Sequence, residues 1–205
     1  ELAWGIEFEQ GNSIFTLDKS FPYYVRCVRN VNIPFVVNSG PRFSRNIDEN
    51  DMPIVTDNYT GLSWQGCPGG STGEECNNGN QETMSWAEAL RYCETLNWGS
   101  KSDWRLPNRN ELTSITDPRQ SAPAMNTDVF IKFPGNIAFW TSTSFAGLYN
   151  RNYAWVGYTW AGHISKLPKD SLNFALCVRD GNLNRQLSYF TLEYDSNLRH
   201  EHEEN

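Results

Sequence analysis

Residues 84–99 read MSWAEALRYCETLNWG and residues 102–115 read SDWRLPNRNELTSI. In the first stretch Ser85 is a good N-cap with Glu88 three residues on. Trp86, Ala89, Leu90, Cys93 and Leu96 then recur at spacings of three and four, so one face of a helix is apolar. Gly99 is expected to stop that helix. In the second stretch Pro107 holds its predecessor extended, Asn108 can cap, and Glu111 occupies the reciprocal capping position ahead of Leu112 and Ile115. This second helix is expected to be short, ending near Asp117 and Pro118.

Outward from the two helices the pattern changes to strands. Before them lie Pro53 to Thr56, a turn DNYTG, and Leu62 to Gln65; after them lie Ala138 to Thr143, the loop FAGLYNRN, Tyr153 to Trp160, His163 to Leu167, and Asn173 to Arg179. Two helices followed by a run of strands is an α+β pattern, with mostly antiparallel pairing and little sign of parallel crossovers. Residues 54–182 are expected to form one complete unit. Residues 31–53, rich in Asn, Pro, Gly, Ser and acidic groups, read as a linker and the start of that unit. Beyond it, residues 183–205 read as a strand, Gln186 to Tyr194, with bulky residues on both faces, and an acidic tail.

The opening of the chain echoes its later part. AWGIEFEQG, from Ala3 to Gly11, resembles AWVGYTWAG, from Ala154 to Gly162, and YYVRCVRN (23–30) resembles FALCVRDG (174–181). From the shared alanine to the shared cysteine the spacing is 24 residues in one copy (Ala3 to Cys27) and 23 in the other (Ala154 to Cys177). The expectation is that residues 1–30 are the C-terminal remnant of an upstream repeat. The alternative is two hairpins of similar composition within one domain.

Five cysteines in a loop-rich, aromatic-rich chain fit an oxidising compartment, where disulfides staple what short strands hold poorly. Four of them lie in the complete unit and allow three pairings. The expected set is Cys67 with Cys76, closing CPGGSTGEEC, and Cys93 with Cys177, tying a helix to the last strand. Cys27 is left over, as an inter-domain partner, a buried free thiol or a bond to another chain. Seventeen basic against 24 acidic residues give a net charge of -7, so no general basic field attracts nucleic acid or an anionic membrane. The longest aliphatic run, Ile33 to Val37, is far short of a membrane span.

The blocks VTDNYTGLSWQ, MSWAEALRYC, SDWRLPNRNEL, FWTSTS, YAWV and ALCVRDG, in this order, resemble the bacterial family named for the C-terminal domain of the collagen-like adhesin Lcl, over about residues 41–181. Residues 3–30 match only the end of that family. The resemblance implies a C-type-lectin-like fold related to the sulfatase-modifying-factor group, exported to the cell surface, the extracellular medium or the periplasm, often in tandem. The adhesin that names the family binds sulfated glycans, but a domain at -7 suits a polyanion poorly, so that ligand is not carried over.

Catalysis has little support. His163, His200 and His202 are the only imidazoles, two of them in the terminal HEHEEN, and no nucleophile–base set, zinc-spaced cluster or phosphate loop occurs. The acidic run at Asp48, Glu49, Asn50 and Asp51 lacks the glycine and spacing of a calcium loop. The expectation is no enzyme, no metal and no cofactor. Recognition has more to offer, because Tyr149, Asn150, Arg151, Asn152, Tyr153 and Trp160 fall close together in sequence. Sugar faces stack on aromatic rings, while amides and guanidinium groups address hydroxyls. Trp155, in the same segment, is expected in the core. The expected role is a secreted or cell-surface adhesion module for a glycan or surface protein; the alternative is a structural subunit that self-associates by strand exchange through its termini.

Overall fold

The computed structural model describes residues 2–7, 12–18, 20, 40–117, 119–146 and 152–181. Cys27, Tyr149, Asn150, Arg151 and the segment expected at 183–205 lie outside the described residues. In chain order the elements are β1 (Leu2–Glu7), β2 (Asn12–Asp18), β3 (Phe43–Ile47), β4 (Pro53–Asp57), β5 (Ser63–Gln65), β6 (Ser71–Thr72), β7 (Asn78–Gly79) and β8 (Thr83–Met84). They continue with α1 (Trp86–Thr95), α2 (Arg109–Ser114), β9 (Ala138–Ser144), β10 (Tyr153–Tyr158), β11 (Ile164–Pro168), β12 (Asn173–Phe174) and β13 (Val178–Arg179).

Both helices start where the sequence predicts. The Glu88 carboxylate accepts from the Ser85 N–H at 2.8 Å and from the Ser85 hydroxyl at 2.6 Å. At α2 the Asn108 side chain accepts from the Asn110 and Glu111 N–H groups, both at 2.9 Å, and Glu111 accepts from the Asn108 N–H at 2.8 Å. These bonds satisfy backbone donors that a helix start leaves without partners. The first helix stops earlier than expected. Its C-cap is Leu96, and Gly99 instead supplies a positive φ of 60° inside the turn that pairs Trp98 with Lys101.

A five-stranded sheet, order β11-β10-β9-β12-β8, carries a core on each face. Neighbouring residues of a strand point to opposite faces, and Phe139 and Trp140 divide accordingly. Trp140, Ala154 and Val156 pack with Ala89 and Cys93 of α1. Phe139 packs with Leu112 and Ile115 from the α2 segment and with Phe130 and Phe133. The α2 helix comes close because β10 presents Gly157 there, where a Cβ would lie 2.8 Å from Leu112 Cδ2. A second sheet, order β13-β5-β4-β3, adds Val55, Trp64 and Val178 to the same core as Phe139.

Three features differ from the sequence reading. The run Asn173 to Arg179 is not one strand but two, β12 in the five-stranded sheet and β13 in the four-stranded one. Between them the chain is held by partners from elsewhere: Gly69 donates to the Ala175 carbonyl at 3.1 Å and Gln65 to the Cys177 carbonyl at 2.9 Å. Pairing is mostly antiparallel, but β12 runs parallel to β9. Residues 43–47, inside the stretch read as linker, are a strand paired along its whole length with β4. Arg45 anchors it, donating to the carbonyls of Gly66, Val129 and Glu74 at 2.8, 2.9 and 2.6 Å.

The disulfides are the expected ones, Cys67–Cys76 and Cys93–Cys177. The second ties α1 to the residue before β13. A further lock joins β13 to the approach to α2. Arg105 and Val178 exchange two backbone hydrogen bonds, at 2.8 and 2.9 Å. Beside them Arg179 makes a bidentate pair with Asp103, and Arg105 pairs with both oxygens of Glu111 and with Asp180. The WRLPNRNEL and CVRD segments therefore hold each other.

Candidate functional site

The cation that opens α2 leads to the site. The Arg109 N–H bonds the Thr143 hydroxyl at 3.0 Å, and the Ser142 N–H bonds the Pro107 carbonyl at 2.8 Å, so the start of α2 is tied to the end of β9. From there the Arg109 guanidinium lies 4.7 Å from the centroid of the Trp155 ring. Trp155 is only 5% exposed, which agrees with its expected core role. Phe145 meets it edge to face at 5.4 Å, and the Lys166 ammonium lies 4.5 Å from the Phe145 ring. The result is a row of cation, ring, ring and cation crossing the end of the five-stranded sheet. Cations over ring faces are attracted by the ring quadrupole, and here that attraction fixes two long side chains beside two rigid rings.

Asn152 and Tyr153 stand at the same end. Asn152 is exposed, and its carbonyl accepts the Lys169 N–H at 2.8 Å. Tyr153 is half-buried and pairs with Pro168 across the β10–β11 ladder, one pair beyond Ala154 with Leu167 and two beyond Trp155 with Lys166. On the α1 side Lys169 carries its ammonium 4.1 Å over the Trp86 ring, whose indole N–H donates to the Thr141 carbonyl at 2.8 Å. Two cations and two rings thus lie on the α2 side of this end of the sheet, and one further cation–ring pair lies on the α1 side, although the whole chain is acidic.

Trp160 does not join them. It follows β10, whose six residues separate it from Tyr153 by about 17 Å at the usual rise of a strand. There it is 44% exposed, and its carbonyl accepts the Ala122 N–H at 2.9 Å. Arg109, Phe145, Lys166 and Lys169 are the residues that sequence reasoning missed. The strand register that sets Lys166 opposite Trp155 could have shown one of them; nothing in the sequence alone points to the others.

Several other charged side chains are bonded within the fold. Asp57, fully buried, accepts from Arg42 at 2.8 Å and from the Tyr59 N–H at 3.0 Å. Hydrogen bonding from Arg179 holds the Asp103 carboxyl below its usual range, and Arg119 likewise pulls Asp117 down to about 2. Burial lowers His163, which stacks on Tyr158 at 4.7 Å with the rings nearly parallel. Among the described residues no group of three His, Cys, Asp or Glu side chains is placed to hold a metal ion, and no helix is long and apolar enough to cross a membrane.

Among the described residues this defines an α+β domain with two short helices and mostly antiparallel strands, stapled by two disulfides of the kind that fit an oxidising compartment outside the cytoplasm. The chain belongs to the Lcl C-terminal domain family, whose pattern matches residues 53–179. Among curated proteins none matches it.

Proposed function

We propose that the protein is an exported recognition and adhesion module, of C-type-lectin-like fold and without enzymatic activity, that binds a glycan or protein ligand at the β9–β10 end of its five-stranded sheet. The observation that carries this reading is that the cations Arg109 and Lys166 are held over the rings of buried Trp155 and part-buried Phe145, with exposed Asn152 and half-buried Tyr153 beside them. Such a surface is rigid because its rings are packed and its cations are held over them. A bound partner therefore loses little affinity to side-chain ordering. The neighbouring loop adds Tyr149, Asn150 and Arg151 in sequence. Family membership supports an adhesion-type role.

A glycan array followed by titration tests it. Tyr153→Ala, Lys166→Ala and Tyr149→Ala together are expected to weaken the best ligand at least tenfold, about 1.4 kcal/mol, with Tm held as a control on folding. Arg119→Ala, at the Trp160 end, is expected to leave binding unchanged. If the triple variant binds every ligand as well as the parent, the reading is wrong. A second reading, a structural subunit joined by strand exchange through its termini, is favoured by one observation: among the described residues the hairpin β1–β2 forms a sheet of its own.

A further inference from the structure

The hairpin β1–β2 repeats the backbone register of β10–β11. Leu2 faces Asp18 and Ala3 faces Leu17, as Tyr153 faces Pro168 and Ala154 faces Leu167. Nearer the turn Gly5 faces Ile14 and Ile6 faces Ser13, as Val156 faces Ser165 and Gly157 faces Ile164. Glu7 faces Asn12 at the place where the Tyr158 N–H bonds the His163 carbonyl. Adding 151 carries Leu2–Glu7 onto residues 153–158 and Asn12 to Ile14 onto 163–165; adding 150 carries Leu17 and Asp18 onto Leu167 and Pro168.

The one residue of difference therefore falls between Ile14 and Leu17. The hairpin has a register irregularity at that level, between Ala3 and Gly5. A bulge absorbs one extra residue in one strand without moving the pairs on either side. It accounts for the spacing of 24 residues from Ala3 to Cys27 against 23 from Ala154 to Cys177. A one-residue slip would send every side chain to the other face, so shared register on both sides of a bulge is a demanding coincidence for two unrelated hairpins.

In the complete unit β10 is an interior strand, with β11 on one side and β9 on the other. Its counterpart β1 has β2 on one side and, among the described residues, no strand on the other. The partner strand β2 approaches β11 to within 8 Å between Cα atoms. An open strand edge presents unpaired N–H and C=O groups that pair readily with another strand.

We infer that β1–β2 is the closing hairpin of a second unit of this fold, and that the outer edge of β1 takes an antiparallel strand of the β9 type. The β9 strand precedes β10 in the chain, so the matching strand belongs to a unit N-terminal to β1. Glu1 occupies the place of Asn152 in this correspondence, so residues 138–151, duplicated ahead of Glu1, offer that strand at the native spacing. Hydrogen exchange then reads the outcome. The amides of residues 2–7 are expected to exchange about tenfold more slowly in the extended chain than in the 205-residue chain, corresponding to about 1.4 kcal/mol of added pairing. A scrambled extension of the same composition is expected to leave them unchanged, and the amides of β9 to β13 are expected to be the same in all three. Equal exchange in all three proteins overturns the inference, as does equal protection by the scrambled extension. Protection that appears with rising concentration of the unextended chain assigns the edge to a second copy of this protein, and also overturns it.

Discussion

Removing each disulfide in turn separates what the two bridges do. Cys93–Cys177 closes a loop of 84 residues and Cys67–Cys76 a loop of 9. By loop-closure entropy the first stabilises by about 4.5 kcal/mol and the second by about 2.5. All four cysteines are buried, so the cavity left by substitution falls on both variants, at about 1 kcal/mol per missing group, and largely cancels in the comparison. The short loop also keeps a second restraint, since Arg45 still holds the Gly66 and Glu74 carbonyls. The Cys93→Ala/Cys177→Ala protein is therefore expected to be less stable than Cys67→Ala/Cys76→Ala by about 2 kcal/mol. In urea, followed by tryptophan fluorescence, that is about 1 M in midpoint at an m-value near 2 kcal/mol/M. Equal midpoints, or the opposite order, refute the argument that loop length governs. The same numbers bear on where the protein works. Together the bridges contribute about 7 kcal/mol, against a total stability of about 5–15 kcal/mol for an ordinary domain, so the reduced chain stands near the limit of folding.

Three further outcomes follow from the geometry. A double-mutant cycle of Arg105→Ala with Glu111→Gln is expected to give a coupling of about 1–2 kcal/mol in urea melts, because that pair is bidentate and half-buried; Asp180→Asn, at a side chain 63% exposed, is expected to change stability by less than about 0.5 kcal/mol. Asp57→Ala is expected to lower stability by about 3 kcal/mol, read as a fall in Tm, since it strips Arg42 and the Tyr59 N–H of a fully buried acceptor, while Asp57→Asn keeps an acceptor for the N–H and loses less. Asp117 has its folded pKa depressed to about 2 by Arg119, so its contribution is present above the unfolded value near 3.9 and is lost as pH falls toward 2. A carboxyl titration followed by NMR is expected to move back toward about 3.9 in Arg119→Ala, and an unmoved midpoint refutes the pairing.

The parts of the fold written in local chemistry were legible in the sequence. Ser85 with Glu88 and Asn108 with Glu111 mark both helix starts through bonds that span three residues. The two disulfides were legible for a related reason, one closing a glycine-rich loop and the other joining a helix face to a strand end. The division of residues 173–179 was not. NFALCVR reads as one uninterrupted strand, and it is Gln65 and Gly69, more than a hundred residues earlier, that take the carbonyls on which the chain changes sheets. The strand β3 was missed because FSRNI lacks a clean apolar alternation, and a side chain, Arg45, supplies much of its anchorage. For the candidate site, closeness in sequence misled in one respect. A strand carries its ends apart, so Tyr153 and Trp160 face opposite ends of the sheet.

The scaffold and the candidate site meet at one residue step. Asn108 caps α2 and is in turn bonded by Glu111, which Arg105 holds; Arg105 is itself fixed to β13 through Val178 and Asp180. The next residue, Arg109, projects onto Trp155. The chain of restraints that secures the start of the helix therefore also sets the position of the first cation in the row. Weakening the lock at Arg105 should be felt at the ligand surface about as soon as in global stability. Arg105→Ala is accordingly expected to lower affinity for whatever ligand the array identifies, even at temperatures well below its Tm. Full affinity in a folded Arg105→Ala protein would separate the two, leaving the aromatic row to hold Arg109 without help from the ion pairs behind it.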